Sequence, residues 1–528
     1  MGHMLHSTEI VLTLLFIMAL ISLFSKLVSI PSPIMMTLAG LGLSMIPAMP
    51  EIKLNPDQVF LLFLPPLLYT SGASTSWRDF RLHMRAIVTL ATGLVIATSI
   101  AIAATAMYTI PGMTWPLALL LGAIISPPDA VAVTAIAKRL NLPKRIVVIL
   151  EGESLMNDAT SLVLFKLALS IILSGVFSWN TSVTEFVQMA GGGIAAGILI
   201  GFLAVKLRMP IDDPSVEVVL SLLTPYAAYL AAEFMHCSGI LSVVACGLYV
   251  GWHLPSITSS QSRLVSYTIW EVISFILNNV IFLLIGLQLM HIVESIQMYR
   301  TEDLVLYTAI TSLTMIAVRV VWVYFGAYTP HLLSKRVREQ ETKPPANWVL
   351  FVGWAGMRGV VSLAAAMAIP VTLNDGTPFP YRDLILFITF VAIIITIVIQ
   401  GLSLGYIAKL LKIPKDESET MEERAARHHI TATALQYLKI FEGSDYHHPT
   451  AIEALQTDYS LRLNALDNRD SSPYLSCIQS HQDLRRDLIN LQRQELLNLR
   501  RNKKIGDEVM RKLIRELDFE EMHQRSPV

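Results

Sequence analysis

A series of long apolar stretches constrains this chain more than any other feature. A helix that crosses the hydrocarbon core of a bilayer needs about 20 mainly apolar residues. About thirteen stretches meet this need, at roughly 8–29, 33–49, 56–74, 84–109, 115–138, 146–175, 183–208, 215–236, 238–254, 265–291, 303–328, 347–370 and 382–412. The chain is 53% hydrophobic and 15% charged, whereas soluble domains carry about 25% charged residues. We therefore predict an all-α polytopic membrane protein with about thirteen transmembrane helices.

Charged residues divide the chain into two regions. Residues 1–413 hold 44 Lys, Arg, Asp and Glu side chains, and the much shorter segment 414–528 holds 37. We predict a transmembrane domain over 1–413 and a soluble helical tail over 414–528. The formal net charge is −1, which gives no reason to expect nucleic-acid binding. No nucleotide, kinase or zinc pattern is evident, so we expect no cofactor and no enzymatic activity.

Basic residues in the loops predict the orientation in the membrane. Loops after odd-numbered predicted helices hold fifteen Lys and Arg residues, and loops after even-numbered helices hold three. Loops rich in Lys and Arg remain on the cytoplasmic side. We therefore expect the N-terminus outside and the tail in the cytoplasm, with an odd number of helices.

The fifth predicted helix is interrupted by Ser126-Pro127-Pro128-Asp129. Two adjacent prolines remove two amide donors and block helix propagation. Backbone freed at membrane depth is tolerated where it surrounds a cavity or an ion site. The alternative is a simple proline kink with Asp129 as a capping residue.

The sixth predicted helix carries Glu153, Ser154, Asn157 and Asp158 within two turns. Ser154 and Asp158 are four residues apart and share one face, while Glu153 and Asn157 share a neighbouring face. An N-terminal cap explains Glu151 but not Asp158, which lies two turns deeper.

The twelfth predicted helix contains Gly353-Trp354-Ala355-Gly356-Met357-Arg358-Gly359. An arginine at this depth needs a carboxylate or carbonyl partner, unless it snorkels to an interface. The glycines permit local unwinding. Helices five and twelve are seven apart, and this odd offset gives them opposite orientations. An inverted repeat of helices 1–6 and 8–13, with broken helices that cross, would produce this arrangement.

These polar groups suggest cation binding in competition with protons. Na⁺ prefers oxygen ligands, which Asp158, Asp129, Ser154 and the backbone freed at Pro128 would supply. Burial disfavours the charged form of a carboxylate, so proton binding competes with cation binding. Alternating access would convert this competition at Asp158 into exchange.

Five blocks of sequence carry a family resemblance. They are SPPDAVAVTAI (126–136), GESLMNDATSLVLF (152–165), FLPPLLY (63–69), SGILSVVACGLYVG (238–251) and GMRGVVSLA (356–364). In their order along the chain, these blocks resemble the monovalent cation:proton antiporter family, which includes NhaP-type bacterial antiporters and animal sodium/proton exchangers. The resemblance covers about residues 10–412, and the later blocks are similar to bacterial members with a cytoplasmic tail.

The resemblance implies a homodimer of two-part protomers in a lipid membrane, with a moving core domain that contains the crossing helices. It matches Asp158 to the ion-carrying aspartate and Asn157 to the asparagine before it, and both are expected to bind the ion. Asp129, Ser154 and the Pro128 carbonyl would provide further Na⁺ ligands. It also matches Glu153 and Arg358 to a buried salt bridge between core helices.

The resemblance implies exchange of Na⁺, and also Li⁺, for H⁺ in a bacterial inner membrane, in the service of pH homeostasis and salt tolerance. Relatives with Asn-Asp at positions like 157–158 are typically electroneutral, which favours one Na⁺ per H⁺. Two departures bear on selectivity: Pro128 stands where many relatives have Thr, and Thr70 stands where many have an acidic residue.

Other functions stay open at this point. K⁺/H⁺ antiport is the closest alternative, because carboxylate sites discriminate weakly between alkali ions. A cation channel would show repeated filter loops, and a receptor would need a signalling motif in the tail. In the tail, Leu484, Leu488 and Leu491 share one helix face, which packing on neighbouring helices would explain. The alternative interpretation of the tail is a regulatory or dimerising module.

Overall fold

The computed structural model gives the architecture of the chain. It describes residues 2–28, 30–46, 61–174, 179–333, 335–340, 343–373, 375–414, 418–440, 449–467, 472–502, 504 and 507–524. Within these ranges the secondary structure is helical, apart from one isolated bridge between Thr372 and Pro378. The chain divides into two compact units, Met1–Lys415 and Asp416–Val528.

The helices of the first unit follow the apolar stretches of the sequence. In chain order they are α1 (Gly2–Val28), α2 (Ser32–Ser44), α3 (Leu64–Ser74), α4 (Trp77–Leu82), α5 (Met84–Thr109), α6 (Trp115–Ile125), α7 (Ala130–Arg139), α8 (Lys144–Ser174), α9 (Trp179–Arg208), α10 (Pro214–Phe234), α11 (Gly239–Ile257), α12 (Ser260–Leu287), α13 (Leu289–Ser295), α14 (Thr301–Leu333), α15 (Lys335–Gln340), α16 (Ala346–Trp354), α17 (Val360–Met367) and α18 (Arg382–Leu410). Both α5 and α18 include a wider, π-helical turn, at Thr89–Leu94 and Thr396–Gln400.

The prediction of an all-α polytopic membrane protein is confirmed. Among the described residues, eight helices are long and apolar enough to cross a membrane, and three shorter helices are also apolar. The number of thirteen crossings stays a prediction. Parts of the second and third predicted spans, between residues 47 and 60, lie outside the described residues.

Two of the predicted spans are broken in the middle. The helix predicted over 115–138 separates into α6 and α7, because the prolines at 127 and 128 cannot donate to the helical ladder. The helix predicted over 347–370 separates into α16 and α17, and residues 355–359 between them are not helical. Both interruptions are buried, so their backbone groups require partners.

Close helix pairs define one half of the first unit, which we call the scaffold half (α2, α3 and α9–α12). At Gly40 on α2, a β-carbon would collide with the backbone of α12 at Leu283 and Gly286. A β-carbon at Gly72 on α3 would likewise press on the backbone of α11, and one at Gly197 on α9 would collide with the backbone of Ser242 on α11. Glycine permits this approach because it has no side chain. These seams bring helix backbones into direct contact.

The remaining broken and long helices form what we call the core half (α5–α8, α14 and α16–α18). Gly122 on α6 lies against the backbone of Ser99 on α5, so this half also has a backbone seam. Between the halves, apolar side chains meet where α8 contacts α11. Leu155 and Ala159 of α8 pack with Ile240 and Val244 of α11.

The described residues of the second unit form four helices: α19 (Ser418–Ile440), α20 (Pro449–Asp467), α21 (Ser472–Arg501) and α22 (Asp507–Gln524). Arg493 of α21 pairs with Asp518 and Glu521 of α22, the latter at 2.6 Å. Leu484, Leu488 and Leu491 are exposed. The regulatory or dimerising role of this unit stays a prediction.

Candidate functional site

The two broken helices meet at their interruptions. The amide of Asp129 donates a hydrogen bond to the carbonyl of Met357, at 2.7 Å. One carboxylate oxygen of Asp129 accepts from the amide of Val131 at 2.8 Å, so Asp129 caps the first turn of α7. The carboxylate lies against Gly359, where a β-carbon would occupy its position. Gly359 therefore allows the Asp129 carboxylate to lie between the two breaks.

A cavity of about 770 Å³ reaches this crossing. Asp129 and Pro128 contribute to its wall from the first break, and Ser154 and Asp158 contribute from α8. The side chain of Asp158 is 7% exposed. The structure thus brings together four of the residues that the sequence proposes as ion ligands.

The scaffold half supplies the opposite wall of the cavity. Its polar lining includes Thr70 of α3 and Ser274 and Asn278 of α12. The Thr70 hydroxyl donates to the carbonyls of Pro66 and Leu67, at 3.0 and 2.9 Å. Thr70 is therefore held to its own helix, and it adds no charge where many family members have a carboxylate.

Asn157 behaves differently from the expectation. Its amide nitrogen donates to the carbonyl of Pro128 at 2.7 Å, and its amide oxygen accepts from the backbone amide of Asp158. The side chain is fully buried. Because the amide nitrogen and the amide oxygen are both hydrogen-bonded, we expect Asn157 to stabilise the broken backbone at Pro128. We do not expect it to contact the cation, contrary to the sequence prediction.

The predicted salt bridge between Glu153 and Arg358 is wrong. Glu153 instead forms a two-pronged ion pair with Arg319 of α14, at 2.6 and 3.0 Å, and both side chains are 1% exposed. Arg319 also donates to the carbonyls of Val352 and Ala355, at 3.3 and 3.1 Å. The planar guanidinium fits two carboxylate oxygens and two carbonyls at once. Glu153 thus holds Arg319 where it donates to carbonyls at the C-terminal end of α16.

Arg358 finds its partner in the backbone. Its guanidinium donates to the carbonyl of Ser126, at the C-terminal end of α6, and its amide donates to the hydroxyl of Thr396 at 3.0 Å. The C-terminal end of a helix carries partial negative charge, which favours a cation there. The expectation that Arg358 needs a carboxylate or carbonyl partner is therefore met by a carbonyl.

Sequence reasoning missed several residues around the site. Arg319 lies inside an apolar run, and the same cost of burying a charge that drew attention to Arg358 applies to it. Arg208 and Glu217 form a second buried ion pair, at 2.9 Å. Spacing along the chain does not reveal burial at a helix end, so the sequence does not indicate this pair. Glu271 also lines the cavity.

The arrangement offers oxygen atoms to a ligand. The carboxylates of Asp129 and Asp158, the hydroxyl of Ser154 and the backbone beside Pro128 face one cavity. Oxygen donors of this kind suit hard monovalent cations, and carboxylates also bind protons. The site is therefore able to hold either a proton or a small cation.

Comparisons with known proteins agree with this geometry. Residues 11–410 match the family described as sodium/hydrogen exchanger, transmembrane. The chain is 35% identical to an uncharacterized Na⁺/H⁺ exchanger of Mycobacterium tuberculosis, over 94% of this chain and 92% of the relative. It is 33% identical to a sodium, potassium, lithium and rubidium/H⁺ antiporter of Bacillus subtilis, over 87% of this chain and 69% of the relative.

A solved structure has the same fold. The sodium proton antiporter MjNhaP1 of Methanocaldococcus jannaschii superposes with a TM-score of 0.59 at 22% identity, over 79% of this chain and 100% of that chain. The match to the family covers the broken helices and both carboxylates. On these grounds the chain belongs to the transmembrane sodium/hydrogen exchanger family, whose members are cation/proton antiporters.

Proposed function

We propose that this protein exchanges one Na⁺, or one Li⁺, for one H⁺ by alternating access, with both ions competing for Asp158. The observation that carries the proposal is the cavity that ends on Asp158 and Asp129 between the two broken helices. A channel would require a continuous path, whereas here the carboxylates lie at the meeting point of two interrupted helices.

The ligand set follows from the residues that face the cavity. Asp158 and Asp129 provide carboxylate oxygens, Ser154 provides a hydroxyl, and Pro128 provides a backbone carbonyl. Asn157 supports the set indirectly, since its hydrogen bond fixes the Pro128 carbonyl. Water in the cavity would complete the coordination shell of Na⁺.

Electroneutral exchange rests on the charges of the site. Asn157 does not titrate, so the pair at 157–158 carries a single ionisable group. Asp129 is engaged as the cap of α7, so we assign the exchanged proton to Asp158 alone. One Na⁺ would then replace one H⁺ on Asp158, and the cycle would move no net charge.

The two-half architecture supports a moving core. Backbone seams at glycines occur within the scaffold half and within the core half, whereas α8 meets α11 through apolar side chains such as Leu155 and Val244. Close backbone seams resist sliding, and side-chain contacts are more easily exchanged. We propose that the core half moves relative to the scaffold half and carries Asp158 between the two sides of the membrane.

A specific observation favours K⁺ as a further substrate. The relative from Bacillus subtilis is named as an antiporter of sodium, potassium, lithium and rubidium, and a wide cavity lined by two carboxylates does not strongly select ion size. K⁺/H⁺ exchange is therefore the second candidate function.

The cellular setting follows from the sequence and the family. We propose an inner-membrane antiporter with its N-terminus outside and its tail in the cytoplasm, because basic residues concentrate in the loops assigned to the cytoplasm. We further propose a homodimer in lipid that serves pH homeostasis and salt tolerance, as the family resemblance implies.

Transport in proteoliposomes tests the proposed function. Purified protein is reconstituted with a pH-sensitive dye inside, and external Na⁺, Li⁺ or K⁺ is added in turn. We expect proton movement with Na⁺ and Li⁺. Once the pH is low enough to protonate the carboxylate, each further unit of acidity should raise the apparent KM about tenfold, with little change in maximal rate. A KM that is independent of pH would contradict direct competition.

Voltage tests the stoichiometry. A potential imposed with a permeant anion, in the absence of a K⁺ gradient, should not drive uptake of labelled Na⁺. Uptake that follows the voltage would contradict one-for-one exchange and would identify Asp129 as a second proton carrier.

A further inference from the structure

A second buried ion pair lies in the wall of the same cavity. Arg208, the last residue of α9, donates to Glu217, in the first turn of α10, at 2.9 Å. The two side chains are 2% and 1% exposed. Arg208 contributes to the cavity wall, and Ser221, one turn beyond Glu217, does so as well. The pair is thus part of the scaffold surface that faces the ion site.

Aromatic residues enclose this pair. The hydroxyl of Tyr69 on α3 interacts with the guanidinium of Arg208. The ring of Tyr69 lies 5.3 Å from that of Trp270 on α12, and the Trp270 indole donates to Ser221 at 3.0 Å. Four helices of the scaffold half therefore meet around Arg208.

Arg208 is the one basic side chain among the described residues that line the cavity. The other charged groups that face it are Asp129, Glu151, Asp158 and Glu271. A fixed positive charge on this wall would repel the cation that the carboxylates must attract. Glu217 stands behind Arg208 and carries the compensating charge.

The Arg208–Glu217 pair has fewer hydrogen bonds than the Glu153–Arg319 pair. Within the described part of the chain, Arg208 Nε and Glu217 Oε2 have no hydrogen-bond partner. Arg319, in contrast, donates to both oxygens of Glu153 and to two carbonyls. A single-pronged pair contributes less to rigidity, while its opposite charges still cancel.

We propose that Glu217 keeps the cavity attractive to cations by neutralising Arg208, and that this pair sets the apparent cation affinity without contacting the ion. The inference rests on the proposed exchange function. It identifies Glu217 and Arg208 as residues that tune the electrostatic potential at Asp158 from the opposite wall.

Opposite shifts in KM test the idea. Glu217→Gln leaves an uncompensated positive charge on the wall and should raise the KM for Na⁺ about threefold to tenfold. Arg208→Gln leaves the carboxylate uncompensated and should lower the KM by a similar factor. The double variant Arg208→Gln/Glu217→Gln should return the KM to within about twofold of the wild-type value. Each shift should shrink when an impermeant salt is added, because salt screens charges across a water-filled cavity.

The wild-type protein, measured first in the same proteoliposomes, separates failure of this inference from failure of the proposed function. Absence of exchange by the wild type would overturn the proposed function itself. Where the wild type exchanges ions, single variants that both shift KM in the same direction would overturn the inference, as would a double variant that does not recover. KM does not depend on how much protein folds. If one single variant yields no protein, the remaining single and the double decide the question.

An ion pair that does not line the cavity provides the matched control. Lys144 pairs with Asp79 at 2.9 Å and is 42% exposed. Lys144→Gln and Asp79→Asn should leave the KM for Na⁺ unchanged. A shift in KM for these variants as large as that for Glu217→Gln would mean that any lost ion pair alters affinity, which would overturn the proposal.

Discussion

At the scale of single residues, buried side chains donate to several of the backbone carbonyls at the two breaks. Arg358 donates a hydrogen bond to the carbonyl of Ser126, and Asn157 donates one to that of Pro128. Arg319 donates to the carbonyls of Val352 and Ala355. Buried carbonyls without partners would cost free energy. The charged and amide side chains around the site therefore stabilise an interrupted backbone, and they leave the carboxylate of Asp158 as the proposed ion-binding group.

A double-mutant cycle checks the corrected ion pair. Glu153→Gln and Arg319→Leu should each destabilise the protein by roughly 3–5 kcal/mol, because each leaves a buried charge without its partner. The double variant should cost clearly less than the sum of the two singles. Thermal melts in detergent of all four combinations measure the coupling.

The matched cycle replaces Arg319 with Arg358. Glu153→Gln and Arg358→Leu should show the smaller coupling, since the guanidinium of Arg358 donates to a carbonyl and not to Glu153. Equal coupling in both cycles would contradict the pairing of Glu153 with Arg319.

Asp158 is expected to be essential for exchange and dispensable for folding. Asp158→Asn removes one buried charge with little change in volume, so the melting temperature should not fall. Proton movement driven by Na⁺ should be lost in proteoliposomes. Asp79→Asn is the control, because Asp79 pairs with Lys144 away from the cavity, and it should transport normally. Exchange by folded Asp158→Asn would contradict the assigned role.

At the scale of helices, glycine positions determine which pairs of helices pack backbone against backbone. Gly40 of α2 lies against the backbone of Leu283 and Gly286 on α12, whereas a β-carbon at Gly42 would meet nothing within 4 Å. Gly40 is therefore closely packed and Gly42 is not, although both lie on α2. Substitutions at the two positions distinguish the effect of close packing from the effect of helix propensity.

Substitution of the two glycines by alanine measures this difference. Gly40→Ala should lower the free energy of unfolding by about 1–3 kcal/mol, because backbone on both sides must move. Gly42→Ala should be neutral or slightly stabilising, since alanine favours a helix by up to about 1 kcal/mol over glycine. Melting temperatures in detergent report both effects. If Gly42→Ala destabilised as much as Gly40→Ala, the seam between α2 and α12 would not explain the loss.

The helical elements were largely predictable from sequence, and their mutual partners were not. Runs of apolar residues predicted the helices, and Pro127-Pro128 and the glycines near Arg358 predicted the breaks, because these signals are local in the chain. The partner of Glu153 depends on which helix lies beside α8. Arg319 is 166 residues away, and a spacing argument cannot distinguish it from Arg358. Asn157 was misassigned for a similar reason, since the direction of its amide depends on the Pro128 carbonyl of another helix.

At the scale of the whole molecule, the ion site lies entirely within the first compact unit. The residues that line the cavity fall between Leu64 and Ser362, and this unit ends at Lys415. Among the described residues, the cavity lining and the backbone partners of the breaks all belong to the first unit. We therefore expect ion exchange to be separable from the tail.

Truncation after Lys415 tests this separation. The shortened chain should exchange Na⁺ for H⁺ in proteoliposomes with a KM within about twofold of the full chain, because the electrostatic surroundings of Asp158 are unchanged. Any regulatory role of the tail would appear as a change in maximal rate or in its dependence on internal pH. A folded truncated protein without transport would show that the tail is required for the cycle itself.

The pair of carboxylates at the crossing also bears on slippage, the futile return of an empty carrier. With neither ion bound, Asp158 would be ionised beside Asp129, and movement of the core half would drag this uncompensated charge past side chains such as Leu155 and Val244. Transfer of an unpaired charge through apolar surroundings costs several kcal/mol. A bound proton or cation lowers that cost. If exchange proceeds as proposed, the solvation energy of the site would hold the empty transporter in place, and tight coupling would require no separate latch.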